Sequence, residues 1–306
     1  MRRGAKRKAF TMVELLFVIV ILGIVGGIAL EAVRQYYEGI YRTGEYSKRV
    51  AEADHILEQL SKYFENAISS SIVNLEASGG AHCYGPPTEG DTNDYTVAFI
   101  GVDHDSIRGN GGNRPGWSEE TLLGANNVIT AADADYTMAD DIITAFGSTL
   151  ANSAIYDADS VDIEACARFR WSGAGTAGYH TIANTTATSL TLGTENNATN
   201  GKRKYLLRTG YAFRVNDDGE FIMYSGFRPW LGEYYTAAAN HNALGRNVAH
   251  FYADYDASDF MANPGVSDRG LVWRLKVCMR GIDANLSVSE SESEAICRER
   301  RVHVRY

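Results

Sequence analysis

Proline is scarce in this 306-residue chain: there are five, and none precedes Pro86. Nothing before that point forces a helix to stop by removing a backbone donor. Cysteine is equally sparse. Cys83, Cys166, Cys278 and Cys297 form no CxxC and have no histidine cluster beside them, which argues against a zinc site. The chain also lacks HExxH, GxSxG and any spaced Cys–His set, so the expectation is a protein that is not an enzyme and needs no cofactor. Acid is missing from residues 1–9, which hold Arg2, Arg3, Lys6, Arg7 and Lys8. Elsewhere cations are in short supply. Taking those five cations off the net charge of -9 leaves -14 on the remainder. Such a body repels phosphate, so nucleic-acid binding through bulk electrostatics is not expected.

What the chain does have is an apolar run from Phe10 to Leu30, FTMVELLFVIVILGIVGGIAL, broken by a single charge at Glu14. As a helix it is about 31 Å long, enough to cross a bilayer core. The basic residues before it should stay cytoplasmic and place the rest on the far side of the membrane. The run passes through Gly26, Gly27 and Ala29 into a long helical pattern, without the small-residue cleavage site that ends a secretory signal. It therefore reads as a retained anchor. Gly23 and Gly27 form a GxxxG pair that would let such helices approach closely, although glycine is common in membrane helices.

An isolated carboxylate in hydrocarbon costs several kcal/mol or more by rough estimate. Glu14 therefore asks for a reason. KAFTMVELLFVIVILGIV resembles the class III signal of type IV prepilins and pseudopilins. The resemblance implies cleavage by prepilin peptidase between Ala9 and Phe10 and N-methylation of Phe10. It makes Glu14 the fifth mature residue, whose carboxylate pairs with the new α-amino group of a neighbouring subunit during filament assembly. Ala9 stands where the family mostly has glycine, and Glu31 where many major pilins have a helix-kinking proline. The other reading of the segment is a signal anchor with a chance acid near its rim.

Beyond Leu30 the apolar positions Ala53, Leu57, Leu60, Phe64, Ala67 and Ile68 recur at three- and four-residue spacing among charged residues. This predicts a nearly continuous helix from about Phe10 to Ser71, roughly 90 Å long, whose stripe docks a globular domain. A dimeric coiled coil ranks second, since the stripe lacks sustained Leu or Ile at both core positions. The expected division is a leader at 1–9, a membrane or filament-core helix at 10–30, an amphipathic helix at 31–78 and a β-rich extracytoplasmic domain at 79–306. The fold class is α+β, with a long N-terminal helix on an antiparallel sheet.

Within the globular part, YTVAFIGV at 95–102 reads as a buried strand. CARFRW and TSLTLG are short candidate strands in a Gly, Asn, Thr and Asp-rich stretch. RKYLLRTGYAFRVNDDGEFIMYS gives a strong hairpin signal: Tyr211, Phe213 and Val215 alternate, Asp218-Gly219 supplies the turn, and Phe221 and Met223 resume the alternation. Three further strands follow in NVAHFYADY, LVWRLKVCM and ICRERRVHVRY. Cys278 and Cys297 lie on the polar faces of the last two, where antiparallel pairing would join them. The expected disulfides are Cys278–Cys297 and, by elimination, Cys83–Cys166, each contributing ~3 kcal/mol in the loop-entropy model. Four unrelated thiols are the alternative. Arg298 and Arg300 break the alternation, which suggests a later start for the last strand. This order of elements resembles the larger minor pilins and J-type minor pseudopilins.

Other motifs carry less. GxGxxG at Gly173, Gly175 and Gly178 is followed by a Thr-rich stretch poor in helix formers and reads as a turn, not a dinucleotide site. Residues 91–164 hold fourteen acids and two bases. Of these, Asp157, Asp159, Asp162 and Glu164 are candidate calcium ligands, against the simpler reading of a solvated acidic face. Their spacing is not that of an EF-hand. His104 between Asp103 and Asp105 makes no relay by itself. Asn197 and Asn285 head sequons with acids two residues upstream, which resembles the extended signal of bacterial N-linked glycosylation.

The resemblance implies a minor pilin or pseudopilin that primes or caps a type IV pilus or a type II secretion pseudopilus. Its partners would be other pilin subunits, prepilin peptidase and the inner-membrane assembly platform. Its place would be the bacterial inner membrane as a single-pass protein, and then an extracytoplasmic filament. The alternative is a singly anchored extracytoplasmic binding module, an adhesin or assembly factor, that does not polymerise.

Overall fold

The computed structural model describes residues 11–76, 81–83, 95–107, 115–117, 122–124, 127–130, 133–157, 169, 171, 179–193, 203–238, 240–255, 272–281 and 295–304. The chain divides into two units, Met1–Arg49 and Val50–Tyr306. Helix α1, Met12–Phe64, begins in the first and ends in the second.

The described part of the first unit is helical throughout. Its apolar side chains from Met12 to Leu30 are all exposed, as are Val33, Tyr36, Tyr37, Ile40, Tyr41 and Tyr46. Past Leu30 the polar face makes one-turn contacts, Gln35 to Glu31 at 3.2 Å and Arg34 to Glu38 at 2.9 Å. Each such exposed pair is worth only a few tenths of a kcal/mol, about 0.2–0.5.

In the second unit α1 buries Ala53, Ile56, Leu57, Leu60, Ser61 and Phe64, a stripe at helical spacing as the periodicity predicts. The helix ends at Phe64, short of the expected 71 and of the domain boundary drawn at 78. Ala67 instead bridges to Gly101, Ser69–Ser71 makes a single 3₁₀ turn, and Val73–Glu76 is strand β1. The physical reason lies in Ser69-Ser70-Ser71-Ile72-Val73. Serine side chains compete for backbone hydrogen bonds and β-branched residues favour extended backbone. Ser71 does so here, donating to the carbonyl of Ile68 at 2.7 Å and accepting from the Ile100 N–H at 2.9 Å.

Strands β2 (Ala81–Cys83), β3 (Tyr95–Val102), β4 (Leu122–Leu123), β5 (Val128–Thr130), β6 (Ala154–Asp157), β7 (Tyr179–Thr185), β8 (Ser189–Leu192) and β9 (Lys204–Val215) join β1 in one sheet. Its order is β2-β1-β3-β9-β6-β7-β8-β5-β4, and β10 (Phe221–Phe227) and β11 (Asn240–Gly245) extend it from β9. All its pairings are antiparallel, and the α+β class follows. The β9–β10 hairpin has the expected faces: Phe213 pairs with Met223 and Val215 with Phe221, while Gly219 turns the chain at φ +77°. That left-handed angle favours glycine.

A second sheet orders β12 (Val248–Tyr255), β13 (Val272–Met279) and β14 (Ile296–His303). The last strand begins at Ile296, before the two arginines that suggested a later start. Arg298 is tolerated because it reaches the helix, its guanidinium 3.0 Å from Asp54, while Val302 further along the strand is buried.

Alternation along β3 splits the core in two. Val97 and Phe99 join the helix stripe, Phe213, Phe221 and the inner face of the small sheet, Trp273, Leu275, Val277, Met279 and Val302. Ala98, Ile100 and Val102 face the other way, into a cluster with Tyr136, Ile143, Trp171, Leu206 and Trp230. Helix α2 (His104–Ile107) and helix α3 (Tyr136–Ala145) belong to this second side. The acid-rich stretch read as a solvated face thus contains a helix. Asp135 caps α3 by accepting from the N–H groups of Thr137 and Met138, and Asp140 accepts from Leu150 N–H at 2.6 Å.

Candidate functional site

The N-terminal residues with an expected role are Ala9, Phe10 and Glu14. Ala9 and Phe10 lie outside the described residues. Glu14 sits in the first turn of α1. Its Oε2 accepts from the backbone N–H of Thr11 and from the Thr11 hydroxyl, both at 3.1 Å. In return the Thr11 Oγ1 accepts from the Glu14 N–H at 3.4 Å, and the Thr11 carbonyl accepts from Leu15 N–H at 3.2 Å. This is a reciprocal capping box, with Thr11 as N-cap and Glu14 three residues on. Two orphan donors at the helix start are satisfied, and the carboxylate lies at the positive end of the helix dipole. The sequence carries the signal for it, T-x-x-E ahead of an apolar run.

From Met12 to Leu30 the helix offers what a bilayer requires: backbone groups bonded within the helix and an apolar surface exposed on all sides. It is the one described helix long and apolar enough to cross a membrane. A Cβ added at Gly23, Gly26 or Gly27 would meet nothing within 4 Å. Space inside this chain therefore does not call for those glycines, each of which costs roughly 1 kcal/mol against alanine in a helix interior.

The remaining candidate residues are scattered. Cys278 and Cys297 are directly opposite each other on β13 and β14 and form a disulfide, as the strand faces predict. Cys83 ends β2, with its side chain outside the described residues, and Cys166 lies outside them altogether. Asn197, Asn285, Asp159, Asp162, Glu164 and the glycines of the GxGxxG motif also lie outside. Asp157 is described, and it is engaged: its Oδ2 is 3.0 Å from the Lys204 ammonium, with both side chains almost fully buried. Lys204 is its Cα partner directly across the strand pair. No group of three His, Cys, Asp or Glu side chains fit to hold a metal occurs among the described residues.

Around His104 the carboxylates converge on Arg208. Its guanidinium is 2.9 Å from Asp105 and 3.5 Å from Asp103, and it covers the Phe146 ring at 4.1 Å. Burial pushes the Asp103 carboxyl above its ordinary range, opposed by the Ser106 hydroxyl that donates to it and by the Arg208 charge. The arrangement anchors the end of β3 to β9, with the Trp117 indole N–H donating to the Asp103 carbonyl at 2.9 Å.

Among the described residues, the membrane-length helix with its capped start is the feature that bears on the expected anchor. Residues 4–30 match the family model of the prokaryotic N-terminal methylation motif. The match is confined to that segment, and it supports a pilin- or pseudopilin-type N-terminal signal ahead of a helix long and apolar enough to cross a membrane. No curated protein and no solved structure matches the chain.

Proposed function

We propose that this chain is a minor pilin or pseudopilin. Prepilin peptidase removes residues 1–9 between Ala9 and Phe10, Phe10 is N-methylated, and the remainder is drawn from the inner membrane into a type IV pilus or type II secretion pseudopilus. The observation that carries the reading is the methylation motif over residues 4–30, in register with an exposed apolar helix that begins at Met12. The Gly23, Gly26 and Gly27 surface favours a close helix neighbour supplied by another subunit. The β-rich body enters no step of processing and turns over no substrate; it is the part presented outside the membrane.

The capping box sharpens the role of Glu14. Before cleavage its carboxylate satisfies Thr11; after cleavage a free amine stands at Phe10, one residue from Thr11. Glu14 then has a choice between its own helix start and the amine of the subunit already in the filament. Glutamine preserves a capping box but carries no charge. The test is to express Glu14→Ala and Glu14→Gln in the host and measure leader removal by N-terminal sequencing and incorporation by filament shearing. Both variants should be cleaved and both should fail to assemble. Assembly of Glu14→Gln at the natural level would reduce Glu14 to a helix cap and sink the pairing role. Recovery of intact Met1 in sheared filaments would sink the assignment as a whole.

A further inference from the structure

Lys204 opens β9 and Asp157 closes β6, and the two are Cα partners across an antiparallel pair. Their side chains therefore emerge on the same face of the sheet, and Lys204 Nζ stands 3.0 Å from Asp157 Oδ2. Relative exposure is 1% for Lys204 and 2% for Asp157. On the next strand His180 is paired with Ile155, two residues from Asp157 on that face, so it is Asp157's diagonal neighbour. His180 is also buried, and its Nδ1 is a buried nitrogen without a hydrogen-bond partner among the described residues.

An amine and a carboxyl held in contact and dry are placed to react as well as to attract. Holding the two groups in contact raises their effective concentration far above that of free amines and acids in water, which favours condensation. We propose that Asp157 and Lys204 condense into an intramolecular amide that staples β6 to β9.

The step balances without a co-reactant. The Lys204 ammonium gives one proton to the Asp157 carboxylate, and the freed nitrogen lone pair attacks the Asp157 carboxyl carbon, forming the C–N bond. His180, in its neutral form, takes the second proton from nitrogen and returns it to the departing hydroxyl. The C–O bond breaks and one water leaves; nothing is oxidised or reduced. Burial and the Lys204 charge both lower the affinity of His180 for protons, opposed by Asp157, which keeps a basic nitrogen available near neutrality. The proposal rests on the second unit alone and stands whether or not the chain enters a filament.

Intact-mass measurement of the purified full chain, with its disulfides reduced and alkylated, tests it directly. The expected mass is one water below that of the sequence, and proteolysis should yield a branched peptide joining Asp157 to Lys204. Lys204→Arg keeps a cation beside Asp157 but should restore the full mass and remove the branch. Separate linear peptides carrying Asp157 and Lys204 in the wild-type protein would overturn the proposal, and so would a water loss that persists in Lys204→Arg. His180→Gln should slow condensation by about 10²-fold or more and abolish its fall on the acid side of the pH profile. An unchanged rate and profile would remove His180 from the step.

Discussion

Truncating Phe64 to alanine should unfold the second unit at a much lower denaturant concentration. The residue is 0% exposed and closes the helix stripe, its ring 4.7 Å from Phe99, 6.1 Å from Phe213 and 6.5 Å from Trp273. Its three neighbours come from β3, β9 and β13, so the cavity would open where the helix and both sheets meet. A buried Phe→Ala change costs about 3–5 kcal/mol. The edge-on pair with Phe99 adds roughly 0.5–1.5 kcal/mol beyond area, so the upper half of that range is expected. Urea unfolding of the full chain in detergent, followed by tryptophan fluorescence, reads the loss. With a slope near 3 kcal/mol per molar urea, the midpoint should fall by more than about 1 M. Phe146→Ala serves as the contrast. That ring is 55% exposed, with the Arg208 guanidinium over it at 4.1 Å, so its loss should cost about 0.5–1 kcal/mol. A Phe64→Ala shift no larger than that of Phe146→Ala would refute the placement of the core between helix and sheets.

Reducing Cys278–Cys297, which closes a sequence separation of 19 residues, should lower stability by about 3 kcal/mol in the loop-entropy model. Calorimetry of the reduced and alkylated protein would show it, and an unchanged Tm would refute it. Burial lowers the His180 pKa below its ordinary 6.5, so the unfolded chain binds more protons there than the folded one. Stability from this group is fully present above pH 6.5 and is lost as pH falls through the folded pKa. His180→Gln should flatten that acid-side loss in a series of urea titrations, and an unaltered slope would rule out His180 as its source.

Local periodicity made much of this architecture readable. The helix stripe, the β9–β10 hairpin and the three C-terminal strands each announce themselves within a dozen residues, and Cys278 and Cys297 could be paired because their strands are sequential neighbours. The anchor was more legible still, since length, charge and Glu14 all lie in one segment. Helix α3 was missed although Asp135 is a good cap and Tyr136, Ala139 and Ile143 repeat at helical spacing. Counting acids hid the order in which they stand. The Asp157–Lys204 pair was out of reach for a different reason. Its partners are separated by 47 positions and meet only because of the register between β6 and β9, which no local pattern encodes.

The ion pair between Arg298 and Asp54 joins positions 244 apart in sequence. The helix stripe from Ala53 to Phe64 is therefore among the first segments synthesised, while Trp273, Leu275, Val277 and Val302, which cover part of it, are among the last. Until residue 302 has been made, that apolar surface has no complete cover, and closing so long a loop is slow. The interval between synthesis of the helix and arrival of the small sheet is thus when this chain is most exposed to aggregation. Anything that holds the helix stripe during that interval would act on yield rather than on the stability of the finished fold.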